Sequence, residues 1–193
     1  MSHIWEFYDD NTQEQRNSIM TLEAKVNEAL RIALQQKTPS QTLEVLLEYL
    51  GKALHGERTY IFEKNENGCD DNTYEWVANG VTPEKDNLQN LPAKICANWY
   101  QNFRIDKHIL IKELEDIRES DPLQYENLKR QNIRSLIVVP LYDEDEVIGF
   151  YGIDNPPEKS LDYASDMLQI MAHFIISSLK RRDLIRELEE MSY

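Results

Sequence analysis

The sequence predicts an α+β fold, with a central antiparallel β-sheet, terminal helices packed on one face, and a lid of loops and short helices on the other. Three observations predict it. Apolar residues recur at helical spacing near both ends, and aromatic and branched residues cluster in strand-length runs between them. The runs then follow the order helix, helix, two strands, small helix, strand, helix, two strands, long helix, which a single sheet with helices on one side accommodates.

Ile19, Leu22, Val26, Ala29 and Ala33 step by three and four residues and mark an amphipathic helix over about residues 12–37. That stripe serves equally for packing on its own domain or for a dimer seam. Thr38-Pro39-Ser40-Gln41 offers an N-cap, a first-turn proline and a capping-box glutamine, and Leu43, Leu46, Leu47, Leu50 and Leu54 continue as a second apolar stripe to near Gly56. Residues 57–64 and 72–80 are rich in aromatic and branched residues and flank a turn-forming tip, as in a β-hairpin. Residues 81–92 read as loop, 93–103 as a short helix carrying Ile95, Trp99 and Phe103, and residues from His108 as a strand giving way to helix through Arg130. Two apolar runs about the charged turn 142–146 form the strongest strand pair, with Ser135, Ile137 and Val139 on one face and Leu136 and Val138 on the other. Residues 162–193 form one long helix, whose Met167, Ile170, Met171, Phe174, Ile175 and Leu179 make a broad apolar side. Leu184, Leu188 and Met191 extend it as a narrower seam among charged residues.

Composition excludes several classes of function. Lys plus Arg number 21 against 35 Asp plus Glu, a formal net charge of -14, which repels nucleic-acid phosphates and anionic membrane surfaces. No apolar run reaches the roughly 20 residues of a membrane span, and the first residues lack the basic and apolar regions of a signal peptide. Cys69 and Cys96 lack metal-ligand spacing to each other or to any of the four His residues. A cytoplasmic chain without metal or cofactor, making no contact with nucleic acid or membrane, is expected.

Three segments carry a family resemblance: ALHGERTYIFE after a helix, the central YEWVANGV, and SLIVVPL with EVIGFYGIDNP, where an acidic turn joins two strands ending in Asp-Asn-Pro. Their order and spacing resemble a GAF domain over residues 38–179, leaving residues 1–37 as an N-terminal helix and 180–193 as a connector helix. RELEEMSY, residues 186–193, resembles the helical junction that enters the catalytic domain of diguanylate cyclases. The resemblance implies a regulatory domain, not itself an enzyme, joined covalently at its C-terminal side to a cyclase making cyclic di-GMP, with histidine kinases and phosphodiesterases as other outputs that follow such helices.

GAF domains bind small molecules between the sheet and its lid, so the resemblance places an unidentified ligand near Tyr60, Trp76, Trp99 and Phe103. Aromatic side chains there serve equally to line a pocket or to fill it. Cyclic nucleotides do not match, because FEKNE at residues 62–66 departs from the Asn-Lys-Phe-Asp-Glu constellation of such members. Bilin attachment uses a Cys beside a His, whereas Ala97 follows Cys96. Haem would need a His ligand, and His55 and His108 read as packing or surface residues. Methionine sulfoxide reduction needs a cysteine cluster that Cys69 and Cys96 do not form. Asp154-Asn155-Pro156 reads as local capping at a strand end. The expected mechanism is helical: Leu22, Val26, Phe174, Leu184, Leu188 and Met191 form a dimer and signalling seam through which ligand binding biases a register or rotation in a homodimer. A ligand-free dimerisation module is the alternative.

Overall fold

The computed structural model describes the backbone of residues 3–193 and the side chains of Gln13, Glu14, Arg16, Asn17 and 21–193. Ile19, the first residue of the N-terminal stripe, lies outside the described side chains. Five strands form one antiparallel sheet in the order β2-β1-β5-β4-β3, with β1 Arg58–Lys64, β2 Asp70–Val77, β3 Ile109–Ile111, β4 Leu136–Asp143 and β5 Glu146–Asp154. Helices α1 His3–Leu34, α2 Pro39–Ala53 and α5 Leu161–Met191 cover one face. The loop 78–96, α3 Ala97–Phe103 and α4 Pro122–Arg130 cover the other.

The local chemistry explains the boundaries. Thr38 Oγ1 accepts the Gln41 backbone N–H at 3.2 Å and Pro39 occupies the first turn, so α2 starts where its cap stands. It stops as His55 takes a left-handed φ of 54°. Gly56 follows, and a Cβ there would lie 2.4 Å from the Ile153 side chain. The Asp143–Glu146 connection is a tight hairpin with Glu144 at positive φ. α1 begins well before residue 12, and the lid helix is shorter than expected, because Pro92–Cys96 form a turn before Ala97.

The helix-facing core is aliphatic. Leu43, Leu46, Leu47, Leu50 and Leu54 meet Ile61, Ile137, Val139, Leu141 and Ile153 from the sheet and Met167, Leu168, Met171, Ile175 and Leu179 from α5. Each fully buried leucine contributes about 1.5–3 kcal/mol through apolar area removed from water. Leu22 and Val26 are half-buried against this cluster, with Ala29 and Ala33 inside it. Of the two uses the stripe allows, packing on the domain's own core is the one these contacts show.

α5 divides into two stripes. Met167, Met171, Ile175 and Leu179 turn inward, and that stripe ends at Arg182. Ile170, Phe174, Leu184, Leu188 and Met191 turn outward and are 40 %, 40 %, 55 %, 56 % and 82 % exposed. Periodicity alone groups Ile170 and Phe174 with Met167 and Met171, but a helix whose axis lies along a sheet buries only the side facing it.

Candidate functional site

The lid-facing side of the sheet is aromatic and holds a small cavity. Phe62 stacks on Phe150 at 4.9 Å between ring centroids, and Trp99 meets Phe150 edge-on at 5.5 Å. Beneath the lid about 30 Å³ is open to the centres of water-sized molecules. The walls come from β1 (Arg58, Tyr60, Phe62), β2 (Asn72, Glu75), β5 (Phe150, Asp154), the lid (Leu88, Leu91, Cys96, Trp99), and α4 and its end (Gln124, Asn127, Leu128, Gln131, Ile133).

Strand alternation sends Arg58, Tyr60 and Phe62 to this side, and Thr59, Ile61 and Glu63 to the helices. β2 carries a bulge: Phe62 pairs with Asn72 and Ile61 with Tyr74, so Thr73 is the extra residue. Beyond the bulge the facing of β2 is reversed. Asp70 and Asn72 point under the lid, where Asp70 accepts the Tyr100 hydroxyl at 2.5 Å, whereas Tyr74 and Trp76 join the helix-facing cluster. Trp76 is therefore not a cavity neighbour. Its ring lies over Gly51, where a Cβ would stand 2.1 Å from the ring carbon Cζ3. Glu75, not Trp76, reaches the cavity.

Of the other expected neighbours, Tyr60 and Trp99 stand in the cavity wall. Phe103 is fully buried one layer away, packed on Tyr100 and Phe150, and its carbonyl accepts the Tyr142 hydroxyl.

The polar centre of the site is a pair absent from the sequence-derived set. Arg58 Nε donates to Asp154 Oδ2 at 3.1 Å with both side chains buried, and the Tyr60 hydroxyl donates to Asp154 Oδ1 at 2.8 Å. Arg58 also donates to the carbonyls of Thr82 at 3.2 Å and Gln131 at 2.9 Å. One guanidinium thus ties β1, β5, the lid loop and the end of α4 together, using the planar fork that lysine lacks. Burial pushes the Asp154 carboxyl up to about 7, against the opposing pull of Arg58 and of the Tyr60 hydroxyl. Burial likewise raises the Tyr60 hydroxyl well above the usual tyrosine range, so it remains a donor. Asn155 does not cap its own stretch of backbone: its Oδ1 accepts the backbone N–H groups of Arg134 at 2.7 Å and Ser135 at 3.1 Å, on the neighbouring strand's approach, and its Nδ2 donates to Glu57 at 2.7 Å. The partners of Asp154 lie 96 and 94 residues away in the chain.

Cys96 lines the cavity but is chemically quiet. Burial and the nearby Asp70 carboxylate push its thiol up, and the Gln124 amide donates to Sγ at 3.4 Å. A thiol held protonated is a poor nucleophile. Among the described residues no group of three His, Cys, Asp or Glu side chains is placed to hold a metal ion, and no helix is long and apolar enough to cross a membrane.

Away from the cavity, a part-buried ion pair binds α5 to the sheet as the helix leaves it. Arg182 donates to both Glu63 oxygens, at 2.6 and 2.9 Å, and to the Tyr74 hydroxyl at 3.4 Å. Tyr74 in turn meets Ser40 Oγ at 2.8 Å near the start of α2.

The GAF domain profile matches residues 38–179. The chain belongs to the GAF domain family. A curated relative, the methanogenesis regulatory histidine kinase FilI of Methanothrix harundinacea (strain 6Ac), is 29% identical over 157 residues, which cover 76% of this chain. The match spans 17% of the length of that kinase. The GAF fold is shared with the biliverdin-bound, far-red absorbing dark state of JSC1_58120g3, at a TM-score of 0.69 and 11% identity over 82% of this chain and 99% of that one. A phycoerythrobilin-bound GAF domain from a cyanobacterial phytochrome gives 0.67 at 14% identity, covering 86% and 97% of the two chains. The GAF domain of an Acinetobacter phosphoenolpyruvate-protein phosphotransferase gives 0.65 at 11%, covering 86% and 98%. At these identities the likeness is one of fold. The curated relative is a kinase rather than a diguanylate cyclase, so the cyclase expectation is replaced by the broader statement that this is a regulatory GAF domain.

Proposed function

We propose that this GAF domain senses a small molecule in the cavity under its lid and controls a covalently attached transmitter of the histidine-kinase type, acting as a homodimer through α5. The observation that carries the proposal is the course of that helix. It packs on the sheet through Met167, Met171, Ile175 and Leu179, is held by Glu63 at Arg182, and continues as an exposed apolar seam of Leu184, Leu188 and Met191. Similarity to a regulatory histidine kinase supports the kinase as output.

The cavity and the seam share strand β1. Arg58, Tyr60 and Phe62 face the cavity, and Glu63, the next residue, holds α5. A ligand that displaces β1 relative to β5 acts on the Glu63–Arg182 contact directly, and biases the helix pair by its difference in affinity for the two arrangements. The resemblance of residues 186–193 to a cyclase junction supports a diguanylate cyclase as the second reading.

An assay of the full-length protein separates the two. Autophosphorylation from ATP, altered by Leu184→Asn/Leu188→Asn, is expected. Cyclic di-GMP formation from GTP would transfer the proposal to the second reading, and kinase activity indifferent to the seam variant would end it.

A further inference from the structure

The side chains around the cavity also specify the chemistry of its occupant, an inference that rests on the sensory reading above. Three charged side chains reach the cavity, Arg58, Glu75 and Asp154, and each already has its partners. Arg58 pairs with Asp154 at 3.1 Å. Both Glu75 oxygens accept the backbone N–H of Glu84 at 3.1 Å, and one also accepts that of Lys85 at 3.2 Å. A ligand with net charge would therefore be desolvated in an aromatic enclosure with no free counter-charge to offset the loss.

What remains for recognition is amide chemistry. α4 and its C-terminal end turn Gln124, Asn127 and Gln131 toward the cavity, three carboxamides at helical spacing. They form a row: Asn127 Nδ2 donates to Gln124 Oε1 at 2.8 Å, and Gln131 Nε2 donates to Asn127 Oδ1 at 3.4 Å as well as to the Asn127 backbone carbonyl at 3.1 Å. Gln124 is completely buried, and its amide nitrogen has a thiol sulfur, a weak acceptor, as partner at 3.4 Å. A carboxamide donates and accepts in one plane, so such a row matches a ligand that does the same. The 30 Å³ open to water-sized centres sets the scale at a few waters, or one molecule of a few heavy atoms.

We propose that the cavity binds an uncharged planar molecule of the carboxamide or urea class, read by Gln124, Asn127 and Gln131 beside Trp99. Carboxylates and amidinium cations of the same shape are excluded. Acetamide, acetate and acetamidinium are nearly isosteric and differ in charge, so they test the proposal directly.

Each is titrated into the isotope-labelled chain at about pH 8, above the Asp154 titration, while the Trp99 indole N–H and the side-chain amides are followed by NMR. Acetamide is expected to shift both sets saturably, with a Kd no tighter than about 0.05 mM for four heavy atoms. Acetate and acetamidinium should bind at least about tenfold more weakly, and Gln124→Met should weaken acetamide by a similar factor. Should Gln124→Met unfold the protein, Asn127→Leu, at a half-buried position, serves the same purpose. Equal or tighter binding of either charged probe overturns the charge argument and leaves the sensory reading standing. No saturable shift at Trp99 with acetamide up to about 0.1 M, far above that affinity ceiling, overturns the proposal itself. The sensory reading falls on the separate evidence of the kinase assay.

Discussion

The two faces of the sheet are built from different materials, and β1 shows both. Toward the helices it presents Thr59 and Ile61 to a close-packed aliphatic core, where the Thr59 hydroxyl donates to the Leu47 carbonyl at 2.7 Å. Toward the lid it presents Arg58, Tyr60 and Phe62 to aromatic rings, a buried ion pair and open space. Close-packed aliphatic layers resist deformation and transmit displacement. A hydrogen-bonded, partly open layer can exchange its internal partners for those of a ligand. Under the sensory function proposed above, the difference would place detection on one face and transmission on the other, with a single strand between them.

The largest effects should come from breaking the lid-side pair. Arg58→Met leaves the Asp154 carboxyl buried without its guanidinium partner and the Thr82 and Gln131 carbonyls without their donor, and should cost about 3–5 kcal/mol in urea unfolding. Arg58→Met/Asp154→Leu should recover part of that loss, the remainder reflecting the Thr82 and Gln131 carbonyls that Arg58 also satisfies. A double variant as unstable as the sum of its singles would mean that the two groups are not coupled. The pair also carries a pH signature. Burial raises the Asp154 carboxyl from 3.8 to about 7, so the folded state holds this proton more tightly than the unfolded chain. The resulting stabilisation is complete below about pH 4 and is lost as pH rises through about 7. The stability gap between wild type and Asp154→Asn should change across that interval, wild type losing its advantage as pH rises.

The helix face should respond differently. Leu47→Ala, at a fully buried position, should cost about 2–5 kcal/mol with no pH dependence of its own. Glu63→Gln should cost less, about 1–3 kcal/mol, because Arg182 keeps Tyr74 and Asp183 as partners. Its diagnostic effect is local: amide exchange over residues 180–191 should accelerate while α2 stays protected. Uniform acceleration across all helices would show that the contact holds the whole fold rather than the exit of α5.

The contrast also explains how much of the molecule was legible in the sequence. Periodicity and capping reveal elements whose cause is local, so the leucine stripe of α2, the Asp143–Glu146 turn and the two faces of β4 were readable from 193 letters. The position of Trp76 was not, because it depends on the bulge at Thr73, which nothing in TYEWV announces. Arg58 and Asp154 are separated by 96 positions, and each has a bland local reading, as a strand charge and a strand-end cap. The helix ending at Arg130 was readable, but nothing in its polar sequence marks Gln124 as wholly buried. An Asp at the end of an apolar strand, immediately before Asn155-Pro156, was the one available signal for this buried carboxylate.

The smallest effect on stability should accompany the largest effect on assembly. Leu184 and Leu188 are more than half exposed, so Leu184→Asn/Leu188→Asn should change the unfolding free energy of the isolated chain by less than about 0.5 kcal/mol when measured well below the dimer dissociation constant. In a parallel pair of α5 helices the same two leucines supply four buried side chains. Their loss removes at most about 6–12 kcal/mol of association. Sedimentation equilibrium should therefore find a dimer for the wild-type chain and a monomer for the variant, with melting temperatures that match once both are measured below the dimer dissociation constant. If the wild-type chain sediments as a monomer at high concentration, the outward stripe has no partner in its twin, and transmission must leave the domain by another surface. If both dimerise equally, contact runs instead through the upper part of the helix. There Ile170 and Phe174 are exposed beside the sheet, and the pivot would lie within the domain rather than beyond Arg182.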